Sequence, residues 1–281
     1  SKTETAKRVY PWAIEFYTFI GRRFSESEGI SKEVLAKAHR QAGFCRLNMG
    51  DSRGRDDYRH AIRGFQDLAA RFPDRLWYRT RLIETLLEYA GLLPAPADAA
   101  LADELFRSAL PVAEALLGDK NADLHCYRIG LIGPFNDLAW KLVRRPPTRE
   151  SDAALAIRLA RKAVNCEPGQ AAYWNTLGVA YYRQGDWSAA STSIEKSIEL
   201  GNGGDATDWF VLASTLHRQG RSDQARQWFD RAVQWVERNP GLDKVRAAEI
   251  LGFRDEASRI LGGQGPLSHG TQCLENNSVE K

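Results

Sequence analysis

Few residues of this chain have the types and spacing that chemistry demands. His125-Cys126 sets a nucleophile beside a base, yet neighbours on a helix point in different directions, and a catalytic pair must converge in space. Gly262-Gly-Gln-Gly265 offers glycines for a phosphate cradle, but a dinucleotide site needs a strand before them and a helix opening from them. Neither is read here, and the stretch reads as tail. His39, His60, His217 and His269 lack the i, i+4 partner or the carboxylate spacing of a zinc site. Cys45, Cys126, Cys166 and Cys273 lie far apart with no CxxC pair, which reads as four ordinary thiols in a reducing cytoplasm. Asp56-Asp57 and Glu26/Glu28 sit in polar stretches, where solvation rather than a raised pKa is expected. The expectation is a non-catalytic chain with no metal and no cofactor.

Bulk properties narrow the classes further. With 43% hydrophobic residues and eight tryptophans in 281 positions, the chain has enough apolar surface to fold. Its 39 basic and 36 acidic residues interleave along the sequence, which is not the footprint of a nucleic-acid binder. No run approaches the roughly 20 apolar residues that span a bilayer, and SKTETAKRVYPW at the start lacks the apolar core of a signal peptide. Cytoplasmic residence is the expectation.

The elements that would position any site are helices, and they repeat. Trp174 to Trp209, Gly185 to Gly220, Ala190 to Ala225 and Ile194 to Phe229 are each separated by 35 positions. Small residues at Gly178 and Ala190 let two helices approach closely, while Leu177, Tyr181 and Ile194 fill the space beside them. Gly185 suits a helix end, and Asp186 or Ser222 suits the start of the next helix. A second register of 49 positions relates Tyr78-Arg-Thr-Arg-Leu-Ile83 to Tyr127-Arg-Ile-Gly-Leu-Ile132, and Ala90 to Ala139.

These residues resemble the tetratricopeptide-repeat family, whose unit of about 34 residues follows W-x2-L-G-x2-Y…A-x3-F. Trp174, Leu177, Gly178, Tyr181, Ala190 and Ile194 stand at those places in one copy, and Trp209, Leu212, Ala213, Leu216, Ala225 and Phe229 in the next. The resemblance implies an all-α fold, a right-handed α-α superhelix of stacked antiparallel helix pairs. Pairs are expected at 31–72, 75–117, 123–168, 171–203 and 205–239, with proline-bearing turns at Leu93–Ala97 and Arg144–Glu150. The expected organisation is an N-terminal helix over 1–30, longer-period pairs over 31–170, two regular repeats over 171–239, a capping helix over 240–262 and a disordered tail over 263–281. Leu138-Ala-Trp140, Tyr173-Trp-Asn-Thr-Leu-Gly178 and Gly203-Gly-Asp-Ala-Thr-Asp-Trp-Phe210 are also similar to arrays at the carboxyl end of large bacterial serine/threonine kinases and of sigma-factor-like regulators. The kinase motifs themselves are missing from the sequence.

The resemblance further implies that the first helix of each pair lines a partner-binding groove. Carried onto this sequence, the groove-facing positions are Asn136, Trp140 and Arg144, then Asn175, Val179, Tyr182 and Arg183, then Phe210, Ser214 and His217. Amides, aromatics and arginines suit a peptide or helix, with an acidic one favoured. The lysine and asparagine set by which chaperone-type members clamp a terminal carboxylate is not present. The leading expectation is a protein-interaction scaffold. Two alternatives stand beside it: the docking arm of a kinase or transcription regulator, and a helical-repeat RNA binder.

Overall fold

The computed structural model describes residues 2–24, 30–93, 97–119, 130, 132–144, 146 and 148–262. The sequence expectations for His125-Cys126, Glu26/Glu28, the tail over 263–281 and parts of the turns at Leu93–Ala97 and Arg144–Glu150 lie outside the described residues. Those described form twelve helices and no strand. In chain order they are α1 (Lys2–Phe24), α2 (Ile30–Asn48), α3 (Gly54–Arg71), α4 (Leu76–Leu92), α5 (Ala99–Leu117), α6 (Ile132–Val143), α7 (Glu150–Cys166), α8 (Ala171–Gln184), α9 (Trp187–Leu200), α10 (Ala206–Arg218), α11 (Ser222–Arg238) and α12 (Lys244–Ile260). The architecture is an all-α helical repeat.

Two compact units divide the chain between Pro134 and Phe135. In the first, α1 packs on α2, α2 on α3, α3 on α4 and α4 on α5. Its interior is partly polar. Tyr58 stacks on Tyr89 with centroids 4.7 Å apart, and its hydroxyl donates to Glu88 at 2.7 Å. Arg40 holds Glu88 at 2.9 Å and Glu84 at 3.0 Å, so each of these half-buried charges has a partner. Helix α1 keeps Trp12, Phe16 and Phe19 largely exposed.

In this unit one sequence expectation fails. Asp57 is not solvated: it is buried, paired with Arg46 and 3.2 Å from His39 Nδ1. The first turn of α3 lies against α2, which brings Arg46 over the carboxylate and makes burial tolerable.

The second unit holds the regular repeats, in which α7 packs on α8, α8 on α9, α9 on α10 and α10 on α11. Gly178 is required by the α8/α9 contact: a Cβ there would lie 2.6 Å from Ile194 Cδ1. The left-handed backbone of Gly185, with φ of 86°, ends α8, and the Asp186 carboxylate accepts from the Ala189 amide at 3.0 Å to start α9. Asp205 and Asp208 form a reciprocal capping box at the start of α10. The 35-residue spacing survives in detail: Trp174 Nε1 donates to the Pro168 carbonyl and Trp209 Nε1 to the Gly203 carbonyl, both at 2.8 Å.

The expectation of four ordinary thiols is corrected here. Cys45 is a buried thiol, but Cys166, at the end of α7, is disulfide-bonded.

Candidate partner-binding groove

Within the second unit, α6 from Phe135 onward meets α8, and α8 meets α10. Arg183 of α8 ties the first two together, its Nε donating to the Val143 carbonyl at 2.8 Å. Asn175 of α8 reaches α10, donating to Asp208 at 2.8 Å. Burial holds the Asp208 carboxyl above the usual range, against the opposing effect of the Asn175 hydrogen bond.

The surface carrying Trp140, Tyr182 and Arg183 is already covered in part, and its occupant is α12. The helix packs on α10 and reaches across to α8 and α6. Phe253 sits against Trp140, with centroids 5.9 Å apart, and beneath the Arg183 guanidinium at 5.6 Å. Glu249 accepts from Arg144 Nη1 at 2.5 Å. Glu256 accepts from the Tyr182 hydroxyl at 2.8 Å and pairs with Arg183. Burial first, and then Glu256, push the Tyr182 phenol far up. The inward stripe of α12 is completed by Ile250 and Ala257, both buried.

The ten residues expected to line the groove therefore have different fates. Val179, Tyr182, Phe210 and Ser214 are buried; the Ser214 hydroxyl donates back to the Phe210 carbonyl at 2.9 Å. Trp140, Arg144 and Arg183 face α12. His217 is half-buried at the end of α10. Asn136 and Asn175 remain beside an open cavity of about 390 Å³, whose rim includes Ala172, Asp205, Asp208 and Arg246. Arg246 of α12 pairs with Asp205 across this rim.

The fit of α12 is imperfect. Arg183 Nη2 and Glu256 Oε2 are buried with no hydrogen-bond partner among the described residues. Arg183 and Glu256 thus meet through one nitrogen and one oxygen, although a guanidinium and a carboxylate can meet through two.

Sequence reasoning assigned α12 to a cap and passed over Glu249, Phe253 and Glu256. A signal was present, since two glutamates seven positions apart bracket Ile250 and Phe253, with Ala257 next on the same stripe. No group of three or more His, Cys, Asp or Glu able to hold a metal ion occurs among the described residues. No helix among them is long and apolar enough to cross a membrane.

Comparison with known proteins bears on the repeats and the fold. The tetratricopeptide-repeat family profile matches residues 149–205 and 175–243, so this part of the chain carries tetratricopeptide repeats. Tetratricopeptide repeat protein 36 of Bos taurus is 34% identical over 86 residues, which are 30% of this chain and 46% of that protein. The chain thus spans about half the length of this curated relative. Among solved structures, BtubC (BKLC) from P. vanneervenii superposes with a TM-score of 0.54 at 18% identity, over 86% of this chain and 94% of that one. At that identity the likeness is one of fold. MamA superposes with a TM-score of 0.44 at 18% identity, over 74% of this chain and 96% of its own.

Proposed function

We propose that this chain is a protein-interaction module that holds a helical or extended segment of a partner on the face lined by α6, α8 and α10. The tetratricopeptide fold generally mediates protein–protein contact. The observation that carries the reading to this face is that it accommodates a helix, α12, through two arginines, a tyrosine and a tryptophan. A surface that pairs Arg144 and Arg183 with glutamates favours an acidic segment over a basic one. The near balance of 39 basic and 36 acidic residues weighs against nucleic acid.

A photo-crosslinking amino acid at Ala172, exposed beside the open cavity, tests this in cells of the source organism. Adducts with a distinct protein are expected at Ala172 and not at Gln227, exposed on α11. Equal adducts at both positions, or none, count against the reading. A docking arm of a kinase or transcription regulator is the same module within a longer chain. The gene sequence preceding Ser1 decides it: kinase or DNA-binding motifs support that version, and their absence removes it.

A further inference from the structure

We infer that α12 is an exchangeable internal occupant of the groove, and that the partner is an amphipathic helix carrying glutamate, an aromatic and glutamate at the spacing of Glu249, Phe253 and Glu256. The inference rests on the functional reading above and deepens it, by naming the chemistry of the guest and what the guest must displace.

Three observations support exchange. First, α12 is held by side chains of an interface type. Phe253 is the apolar anchor between Trp140 and Arg183, and Glu249 and Glu256 meet the arginines of two different helices. A free helix with these groups at i, i+4 and i+7 presents the same stripe. Second, the fit leaves Arg183 Nη2 and Glu256 Oε2 buried without partners, so a guest glutamate placed to engage both guanidinium nitrogens is bound better than the resident one. Third, α12 is weakly built. Gly252 interrupts its middle, and a Cβ there would meet nothing within 4 Å, so packing does not demand the glycine and its cost to helix stability is uncompensated. Only Ile250, Phe253 and Ala257 of this helix are buried, whereas Ala206 to Leu216 of α10 are buried without a break.

The test uses the full chain and a fluorescent peptide copying residues 243–261. The peptide is expected to bind the E249R/E256R chain at least about tenfold more tightly than the unaltered chain, because an occupied groove lowers apparent affinity by the fraction that is open. A peptide carrying the same two reversals is expected not to bind. Equal binding to both chains, or binding to neither, overturns the inference. So does a concentration-dependent dimer of the variant that excludes peptide, since the occupant is then a second copy. Hydrogen exchange on the unaltered chain decides the matter even where the variant fails to fold. Amides of α12 are expected to exchange at least about a hundredfold faster than those of α10, through a local opening; equal protection makes α12 part of the core and overturns the proposal. The functional reading fails separately. Adducts at Ala172 with an immovable α12 leave the module but no exchange, whereas peptide capture without cellular adducts leaves the exchange without the partner.

Discussion

Arg183 is the residue on which the groove turns, because it ties α8 to both α6 and α12. It binds the α6 carbonyl of Val143, stacks on Phe253 and neutralises Glu256. Its side chain is 5% exposed and that of Glu256 13%, so removing one charge strands the other in a poorly solvated place. Arg183→Met is expected to cost about 3 kcal/mol in urea unfolding, and Arg183→Met/Glu256→Gln to recover at least about 1 kcal/mol of it. A double variant no more stable than the single one would show that the charge is not what matters. Asp208 gives a prediction in pH. Its folded pKa lies above the unfolded value because burial outweighs its hydrogen bonds. The folded state therefore holds this proton more tightly, and Asp208 costs nothing below the ordinary carboxylate pKa. Its penalty grows as pH rises through the raised value. Asp208→Asn keeps an acceptor for Asn175 and removes the ionisation, so its stability relative to the parent should improve as pH rises through and above the ordinary carboxylate range. A thermal-midpoint difference that stays flat across that range would contradict this. Gly178→Ala places a Cβ 2.6 Å from Ile194 Cδ1 and 3.1 Å from its backbone nitrogen, and should cost about 1–3 kcal/mol by overpacking, read as a lower urea midpoint with unchanged slope.

At the scale of the element, legibility followed how local each cause is. The Gly185 end of α8, the Asp186 start of α9 and the small residues at Gly178 and Ala190 are written within a few positions of where they act, so they could be read directly. The 35-residue spacing of Trp174 and Trp209 reports a repeated local contact, each indole meeting a carbonyl six residues back. Helix α12 was legible as a helix but not as a guest. Periodicity shows that Ile250, Phe253 and Ala257 share a stripe, and says nothing of which surface the stripe covers. The repeat pattern aims Tyr182 and Phe210 at a groove and does not show what meets them: Tyr182 donates to Glu256, more than 70 positions on, and Phe210 packs edge-on against Phe229 of α11 with centroids 5.5 Å apart. Asp57 misled because its neighbours in sequence are polar while its neighbour in space is Arg46. The element also has its own test. Gly252→Ala should stabilise α12 by about 1 kcal/mol, slowing exchange of its amides roughly fivefold and weakening capture of the 243–261 peptide by a similar factor. Slower exchange with unchanged capture would uncouple the helix from the groove.

For the molecule as a whole, packing and family match draw different divisions. The family match begins at residue 149, while the compact units part between Pro134 and Phe135. Helix α7 lies within that match and packs on α8, with Ala156, Ala160 and Ala163 buried. Nearest-neighbour contact builds a repeat protein, so a helix is grouped with what it touches. The disulfide at Cys166, on the last turn of α7, is a covalent constraint that no hydrophobic pattern records. A cross-link removes conformations from the unfolded chain, so its reduction should lower stability by about 2–4 kcal/mol. The chain has four cysteines. Alkylation in denaturant is therefore expected to label two of them before reduction and all four after it, and the thermal midpoint should fall on treatment with reductant. Four labels before reduction would show Cys166 as a thiol and return the molecule to the non-covalent stack that its sequence suggests.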